Sequence, residues 1–276
     1  MENKDVKLNN GDCLTLMKDI PEKSIDLILC DLPYGVTARN KWDSVIDLDE
    51  LWEHYNRIIK DTGVIILFGQ GMFTAKLMLS NPDMWRYNLI WEKTQPTGFL
   101  NAKRMPLRNH EDICVFYKKL PTYHPQKSLG HVKKISTAEH KRNGKLTTDY
   151  SEYNLVDYSS SERYPLSVVK IPEERNSIIT FAKDTQKEAY HPTQKPVALC
   201  EYLIRSFSNE GDVVLDNCMG SGTTGVACIN TGRIFIGIER DTEIFEIAKN
   251  RIEGNVTPQK LKDAVNSNFC FSLFDQ

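Results

Sequence analysis

The stretch VVLDNCMGSGTTG, residues 213–225, decides the fold of this chain. Its first four residues have the apolar character of a buried strand, and Gly220, Gly222 and Gly225 follow with the spacing G-x-G-x-x-G. A glycine-rich turn between a strand and a helix is typical of an open, doubly wound α/β sheet, which binds ligands at the carboxyl ends of its strands. The same alternation continues with a helix predicted over residues 223–230, a strand over 234–238 and a helix over 242–252.

Two cofactor classes fit this turn. The glycine spacing is that of a dinucleotide site, with Glu239 at the end of the next predicted strand to bind a ribose. However, Asp216 ends the strand before the glycines, and a carboxylate there would repel a pyrophosphate. The same carboxylate suits a ligand with an ammonium or sulfonium group, and S-adenosylmethionine carries both. The residues therefore favour S-adenosylmethionine over a nicotinamide dinucleotide, and a tight turn without any ligand is the third interpretation.

The N-terminal part of the chain also alternates between strands and helices. A helix is predicted over residues 48–60, where apolar side chains recur with helical spacing from Leu51 to Ile59. The polar stretch over residues 93–110 is predicted to be a loop that joins two strands as an antiparallel pair. This order predicts βαβ units on a parallel sheet. The predicted strands cover residues 6–8, 25–30, 64–68, 87–91 and 113–117.

Residues 119–190 interrupt this alternation. They are rich in Lys, Ser, Thr, Tyr and Asn, have no long apolar period, and are too long for an ordinary connection. The tyrosines among their charges favour a binding module over a linker. The chain is therefore predicted to have a first α/β part over residues 1–118, an insertion over 119–190, a second α/β part over 191–253 and a tail over 254–276.

The charge of the chain is unevenly distributed. The whole sequence has a net charge of −2, but residues 93–146 contain twelve lysines and arginines against three carboxylates, a local charge of +9. Such a segment predicts binding of a polyanion at one face of the protein. A solvated, lysine-rich loop is the plainer interpretation of the same charges.

Hydropathy and cysteine usage indicate the cellular compartment. No apolar run approaches the ~18 residues that a membrane helix needs, and the first residues lack the apolar core of a secretory signal. The seven cysteines contain no C-x-x-C pair, which argues against a zinc ribbon or a disulfide framework, and no metal site is expected. We therefore expect a cytoplasmic protein with reduced cysteines and no membrane partner.

The end of the second predicted strand carries the residues that suggest the chemistry. Asp31-Leu32-Pro33-Tyr34 resembles the Asp-Pro-Pro-Tyr motif of DNA amino-methyltransferases, with leucine in place of the first proline. The resemblance covers about residues 6–252. Further segments agree with the β group of this family and stand in its order: GDC at 11–13, WEK at 91–93, HPTQKP at 191–196, the glycine turn, and FIGIER at 235–240.

The resemblance implies a catalytic role for the tetrapeptide. Most members of the β group methylate N6 of adenine, an amine whose lone pair is delocalised into the ring. By resemblance, the Asp31 carboxylate and the backbone carbonyl of Leu32 accept the two N–H bonds of a flipped adenine and localise that lone pair. Pro33 is implied to hold the turn, and Tyr34 is implied to stack on the base.

The resemblance also implies a binding site for S-adenosylmethionine. Asp12 is implied to bind the adenine of this donor, with capping of the following helix as the alternative. Thr193 and Lys195 are implied to lie near its methionine end. The residues implied to bind the donor are Asp12, Cys13, Thr193, Lys195, Asp216, Asn217, Gly220, Gly222, Thr223, Glu239 and Arg240.

Double-stranded DNA is the expected partner. The basic segment and the insertion are expected to form the DNA face, with Lys133, Lys134, Lys141 and Arg142 as contacts. A homodimer and a cognate restriction endonuclease are the other partners considered, and the implied source is a prokaryote or a phage.

The order of the motifs implies a circular permutation of the Rossmann-like methyltransferase sheet, which has seven strands. The chain would begin at strand three, continue through strands four to seven, insert a target-recognition region, and finish with strands one and two. This arrangement would place Asp12 beside the donor loop, residues 216–222, although more than 200 residues separate them.

Other functions are open at this point. Cytosine-C5 methylation needs a thiol, usually in a Pro-Cys pair, and the sequence has no such pair. N4-cytosine methylation uses the same geometry as N6-adenine methylation, but the family most often has serine there in place of Asp31. The remaining hypotheses are methylation of RNA or of a protein glutamine, an NAD-dependent oxidoreductase, and a DNA-binding module that binds the donor without activity.

Overall fold

A central sheet with helices on both faces makes up most of the structure. The structure is a computed structural model that describes residues 5–35, 46–137, 157–170 and 194–254. The strands are β1 Val6–Asn10, β2 Ile25–Cys30, β3 Ile59–Gly69, β4 Trp85–Thr97, β5 Arg108–Tyr117, β6 Lys134–Ser136, β7 Tyr158–Ser160, β8 Val168–Lys170, β9 Val213–Asp216 and β10 Ile234–Glu239. The α-helices are α1 Cys13–Leu16, α2 Leu48–Ile58, α3 Met72–Ser80, α4 Val197–Phe207, α5 Thr223–Thr231 and α6 Thr242–Ile252.

The strand order confirms the permuted arrangement. The sheet runs β1-β10-β9-β2-β3-β5-β4-β8. β1, β10, β9, β2 and β3 are parallel to one another, whereas β5 is antiparallel to both β3 and β4. With strand three assigned to β1 and strands one and two assigned to β9 and β10, the first seven positions are three, two, one, four, five, seven and six. The permutation places Asn10 of β1 directly opposite Glu239 of β10.

One strand of the sheet was not expected. β8 lies within the predicted insertion, yet it pairs with β4 in parallel, with Val169 opposite Trp91. Both of these side chains are buried. Among the described residues the sheet therefore has the seven expected strands and an eighth at one end, and β6 and β7 form a separate two-stranded sheet.

Apolar side chains fill both faces of the sheet. Along β2, Ile28 packs with residues of α1, α2 and α3, whereas its neighbours Leu27 and Leu29 pack with α4, α5 and α6. Because successive side chains of a strand point to opposite faces, a continuous apolar run indicates a strand covered by helices on both sides. Among the described residues, no helix is both long enough and apolar enough to span a bilayer.

Several elements differ from the sequence predictions in their limits, most clearly in two places. Helix α2 ends at Ile58 and not at Lys60, because Ile59 pairs with Ile25 of β2 and begins β3 five residues early. The predicted loop over residues 93–110 is also wrong in extent, because β4 continues to Thr97 and β5 begins at Arg108. Tertiary pairing overrides local polarity in both places.

Candidate active site

Four carboxylates meet where the parallel strands of the sheet end, at an edge that we call the carboxyl edge. Asp12 follows β1, Glu239 ends β10, Asp216 ends β9 and Asp31 follows β2. These four strands are consecutive neighbours in the sheet. Residues that are distant in sequence therefore lie side by side, at the position where open α/β sheets bind their ligands.

Asp31 is held by a tyrosine and a lysine. Its Oδ1 accepts a hydrogen bond from the Tyr34 hydroxyl at 2.8 Å, and its Oδ2 accepts one from Lys195 Nζ at 2.5 Å. Lys195 directly precedes Pro196, the residue before α4, and its neighbour Gln194 accepts a hydrogen bond from Ser221 of the glycine turn at 3.2 Å. The glycine turn thus supports the segment that brings Lys195 to Asp31.

Lys195 belongs to a buried ionic network. Its side chain is 9% exposed, and Nζ lies 3.1 Å from Oε2 of Glu111 on β5. The other oxygen of Glu111 contacts Lys93 of β4, and the ring of Phe68 lies 5.0 Å from Nζ. Burial lowers the pKa of Lys195, but the charges of Asp31 and Glu111 outweigh burial and raise the pKa overall. Lys195 is therefore a cation that donates hydrogen bonds.

Glu111 is the acidic centre of this network. Burial raises its pKa, but the charges of Lys195 and Lys93 outweigh burial and lower the pKa overall. Its Oε2 lies outside hydrogen-bonding geometry, and in the described residues it is the fully buried side-chain oxygen without a hydrogen bond. The network thus alternates in charge from Asp31 through Lys195 and Glu111 to Lys93.

The tetrapeptide after β2 is fixed in place. The Tyr34 ring stacks on Phe73 of α3 with ring centroids 4.8 Å apart. Burial, followed by the nearby charge of Asp31, raises the pKa of Tyr34, so its hydroxyl keeps its proton and donates to Asp31. Leu32 is buried in the core, and Pro33 is half-buried between it and Tyr34. Phe73 covers one face of the tyrosine ring.

The glycine turn is shaped by close packing and by backbone conformation. Gly220 and Gly222 have φ of +51° and +80°, in the left-handed region that favours glycine. A Cβ on Gly220 would meet nothing within 4 Å, whereas one on Gly225 would lie 2.5 Å from Cδ1 of Ile252. Gly225 therefore serves the packing of α5 on α6, and Gly220 borders open space.

Glu239 fastens the glycine turn to the end of β10. Its Oε2 accepts a hydrogen bond from the backbone N–H of Gly220 at 2.9 Å, and its Oε1 accepts one from the backbone N–H of Asp241 at 2.9 Å. Burial raises the pKa of Glu239, although these backbone hydrogen bonds oppose the rise. Each carboxylate oxygen can accept a further bond, so this geometry is compatible with a hydroxyl ligand.

Asp216 and Asn217 lie beneath the turn. Burial raises the pKa of Asp216 to about 7, against the opposing effect of hydrogen bonds from Thr224 and from the backbone N–H of Cys218. The amide oxygen of Asn217 accepts a hydrogen bond from the Tyr55 hydroxyl of α2 at 2.6 Å. Asn217 thus joins the donor loop to the helix layer on one face of the sheet.

The segment after β1 lies against the same loop. Asp12 is exposed and caps α1, because its Oδ1 accepts from the backbone N–H of Thr15 at 3.0 Å. Gly11 N–H donates to the backbone oxygen of Glu239 at 2.9 Å. A hydrogen bond with the Cys218 thiol lowers the pKa of Cys13. The capping alternative for Asp12 is therefore observed, and its neighbours contact the donor loop.

The remaining predicted donor residues lie in three different settings. Thr223 begins α5, and its hydroxyl accepts a hydrogen bond from Arg251 of α6 at 3.0 Å. Arg240 is exposed directly after β10. Thr193 lies outside the described residues.

The basic segment does not lie on one face, so this part of the charge prediction is wrong. Because β5 runs antiparallel to β3, Lys118 and Lys119 follow its end at the opposite edge of the sheet, where Lys119 pairs with Asp61 at 3.0 Å. Lys133 and Lys134 are exposed, and Lys134 begins β6. Lys141 and Arg142 lie outside the described residues.

Three residues of the site were not predicted from the sequence. They are Glu111 in the ionic network, Phe73 under the Tyr34 ring and Tyr55 on Asn217. Each lies within an apolar or mixed stretch of a regular element, and its partner is distant in sequence. Glu111 lies in the polar first half of β5, before the apolar run that begins at Ile113, and no local pattern distinguishes it from its polar neighbours.

Comparison with known proteins agrees with this geometry. The model of the DNA methylase family N6_N4_Mtase matches residues 25–250. The chain is 30% identical over 271 residues to the Type II methyltransferase M.HinfI of Haemophilus influenzae, covering 88% of this chain and 67% of that protein. The solved structure of the cytosine-N4-specific PvuII DNA methyltransferase aligns with a TM-score of 0.64 and 17% identity, covering 95% of this chain and 91% of that one. The M1.HpyAVI–SAM complex aligns with a TM-score of 0.58 and 23% identity, covering 90% of this chain and 98% of that one. On the strength of the family match and the relative, this chain belongs to the DNA methylase family.

Proposed function

We propose that this chain transfers a methyl group from S-adenosylmethionine to N6 of an adenine flipped out of double-stranded DNA. The observation that carries the proposal is the position of Asp31, which lies at the carboxyl edge one strand away from the donor loop and is fixed by Tyr34 and Lys195. Membership of the DNA methylase family and the SAM complex of a structural neighbour support it.

The residues at the donor loop fit a cationic ligand. Asp216, Glu239 and Asp12 end or follow three adjacent strands, and together they would repel a pyrophosphate. S-adenosylmethionine has a sulfonium and an ammonium to approach Asp216, and it has ribose hydroxyls to donate to Glu239. The open space beside Gly220 leaves the backbone of the turn accessible. Family membership and this acidic donor set both disfavour the dinucleotide alternative.

The chain's own groups would activate the target amine. When bound, S-adenosylmethionine supplies an electrophilic methyl group, which needs an electron pair from nitrogen. Asp31 and the carbonyl of Leu32 would accept the two N–H bonds of the amine and localise its lone pair. The negative charge of Asp31 would also stabilise the positive charge that develops on nitrogen.

Lys195 and Tyr34 leave room for this role. A carboxylate has about four acceptor positions on its two oxygens, and the two observed hydrogen bonds use one on each oxygen of Asp31. Glu111 holds Lys195 from the opposite side. We propose that this arrangement fixes the direction in which Asp31 faces the amine, and that the face of Tyr34 opposite Phe73 stacks on the base.

N4-cytosine methylation is the second candidate function. It is favoured by one observation, the likeness in fold to a cytosine-N4-specific enzyme. Both amines need the same acceptors, so the geometry serves either one. The carboxylate of Asp31, where N4-cytosine enzymes most often have serine, supports adenine. A homodimer, a cognate restriction endonuclease and a prokaryotic or phage source are part of the proposal.

The product and the catalytic carboxylate can be tested together. DNA from cells that express the protein is digested to nucleosides and separated by mass spectrometry, and methylation-sensitive sequencing then locates the modified sites. We expect N6-methyladenine. We expect Asp31→Ala to lose nearly all methyl transfer, because the amine loses its acceptor, and Asp31→Asn to fall between this variant and the unmodified protein.

A measurement of donor affinity distinguishes a loss of catalysis from a loss of folding in the Asp31 variants. Calorimetry should show unchanged affinity for S-adenosylmethionine in both Asp31 variants, because this carboxylate faces the base. N4-methylcytosine as the product would contradict the adenine assignment alone. Full activity of Asp31→Ala would contradict the mechanism.

A further inference from the structure

The turn between β4 and β5 projects beyond the carboxyl edge. We call residues 98–107 the hairpin tip. Asp112 of β5 pairs with Gly69, the last residue of β3, so the residues before Asp112 extend past the end of the parallel strands. Glu111 lies in the ionic network with Lys195, and Arg108 is three residues further out, about 10 Å at the rise of a strand. The hairpin tip therefore extends from the active site toward the side from which a substrate must approach.

The hairpin tip has a defined conformation. Thr97 pairs with Arg108 at its base. Gly98 has a φ of +95° and starts a 3₁₀ turn, in which the N–H of Asn101 donates to the Gly98 oxygen at 2.9 Å. The N–H of Arg104 then donates to the Asn101 oxygen at 2.8 Å. Consecutive turn hydrogen bonds hold the backbone of this segment in a compact shape.

Large apolar side chains of the hairpin tip point into solvent. Phe99 is 69% exposed, Met105 is 56% exposed, and Leu100 is fully exposed. Single exposed apolar residues are common on protein surfaces, but three on one short turn form a patch that indicates a partner. Phe, Leu and Met are the residue types that proteins insert between base steps to unstack DNA.

The charges around this patch favour DNA over a second copy of the chain. Residues 94–110 contain Lys103, Arg104 and Arg108 and no carboxylate. The cations would be attracted to phosphates on both sides of an inserted side chain. A symmetric dimer through the same patch would bring two positive surfaces together.

We propose that the hairpin tip is a wedge that enters the DNA duplex and occupies the space left when the target base turns toward Asp31. Phe99 and Leu100 are the inserted side chains, and Lys103 and Arg104 hold the neighbouring phosphates. The wedge rests on the proposed function, because it needs a target base that leaves the stack. Its contribution is to offset the cost of unstacking, which is lowest for a base that is already mispaired.

The test compares two substrates that differ only in this cost. A synthetic duplex carrying the sequence found methylated is used fully paired, and again with the target base mispaired. Methyl transfer is followed with tritiated donor. A third duplex, with 2-aminopurine at the target position, reports flipping by fluorescence independently of transfer. The double variant Phe99→Ala and Leu100→Ala is compared with Leu79→Ala, a 76% exposed leucine near the end of α3 and away from the carboxyl edge.

The wedge predicts a selective defect. The double variant should methylate the paired duplex about tenfold more slowly or worse, and should regain most of the rate on the mispaired duplex, because unstacking is then cheap. It should also lose the 2-aminopurine signal, while Leu79→Ala should match the unmodified protein. Donor affinity and thermal unfolding should be the same in all three proteins, since the replaced side chains are exposed.

Other outcomes would overturn the wedge. Unchanged rates on both duplexes would show that the hairpin tip does not take part. If the double variant loses the same fraction of the methyl-transfer rate on both duplexes, the hairpin tip only anchors DNA. If sedimentation shows a dimer of the unmodified protein and a monomer of the double variant, the hairpin tip binds a second copy of the chain. Absence of methyl transfer by the unmodified protein would contradict the proposed function and the wedge with it. The pattern of rates therefore distinguishes the two failures.

Discussion

Asp216 is the carboxylate of the donor loop, and burial is the largest influence on its protonation. Burial raises its pKa to about 7, far above the ordinary value of 3.8. Between about pH 4 and pH 7 the folded protein therefore holds a proton that the unfolded chain has already lost. The free energy of unfolding should fall as pH rises through this window, because the unfolded state binds fewer protons.

Binding of the donor should lower the raised pKa of Asp216. A cation next to Asp216 favours the ionised carboxylate. Affinity for S-adenosylmethionine should therefore increase as pH rises through about 7, with release of up to about one proton per donor bound below that pH. Calorimetry in two buffers of different ionisation enthalpy measures the proton release. Asp216→Asn keeps the size of the side chain and should bind the donor more weakly.

The asparagine variant is also the control for the donor's own titration. The ligand titrates identically in both proteins, so any difference in pH dependence belongs to Asp216. The same proton release in Asp216→Asn and in the unmodified protein would show that Asp216 does not face the cationic part of the donor.

Single residues were predictable from sequence where their role depends on position along a strand. Asp31 and Asp216 each stand at the end of an apolar run, which places both at the carboxyl edge. Lys195 was predicted to bind the donor, yet its contacts are with Asp31 and Glu111. Those partners are 164 and 84 positions away in the chain, and no local pattern encodes such a pairing.

The glycine turn combines two different requirements within one element. Gly220 and Gly222 provide left-handed backbone, whereas Gly225 is not among the residues with positive φ and is needed for space. A Cβ on Gly225 would lie 2.5 Å from Cδ1 of Ile252 and 2.7 Å from the Phe235 ring. The third glycine of the G-x-G-x-x-G spacing therefore concerns helix packing and not the ligand.

Replacement of Gly225 should destabilise the protein through Ile252. Alanine favours a helix over glycine, but we expect Gly225→Ala to lower the free energy of unfolding by about 1–3 kcal/mol because the site is already filled. Ile252→Val removes the methyl group that the new Cβ would meet, and alone should cost about 0.5–1.5 kcal/mol. The double variant should be less destabilised than the sum of the two, with Phe235 preventing full recovery. Urea unfolding of the four proteins measures this coupling, and strictly additive losses would contradict it.

The limits of helices and strands were predictable where the apolar spacing suited only one of the two. The limits of β2, β9 and α6 agree with the sequence pattern to the residue. At Ile58 and Ile59 the apolar spacing suits either a helix or a strand, and pairing with β2 decides for the strand. The polar ends of β4 and β5 have no apolar alternation, because they extend past the core, and only their hydrogen bonds to each other make them strands.

On the scale of the whole molecule, permutation determines which parts of the chain form the site. β1 lies beside β10 and β9 lies beside β2, so the donor loop from the end of the described chain meets the tetrapeptide from its beginning. The order of the sequence motifs, together with the family that they resemble, was sufficient to predict this arrangement. The pairing of β8 with β4 was not predictable, because three residues are too few for a pattern and the strand is stabilised by its neighbour.

The last prediction concerns the basic segment, whose positive charges do not all lie at the same edge of the molecule. We propose that Lys133, Lys134, Lys141 and Arg142 contact DNA. Affinity should then fall steeply with salt, because each phosphate contact releases counterions. Replacing all four by alanine should make the slope of log affinity against log salt shallower by about 0.9 for each phosphate that the protein no longer neutralises, while leaving donor affinity unchanged.

Lys118 and Lys119 provide the matched control. They belong to the same basic segment of the sequence, but they follow the end of β5 at the edge away from Asp31, where Lys119 is paired with Asp61. Replacing both by alanine removes two positive charges from the molecule without removing a proposed contact, so the salt slope should stay as it is. Equal slopes in the quadruple variant and the unmodified protein would assign the four residues to a solvated surface. Changes in proportion to the charges removed, four in one variant and two in the other, would show that DNA responds to the total charge of the protein and not to a defined face, because only contacts with phosphates depend on where the cations lie.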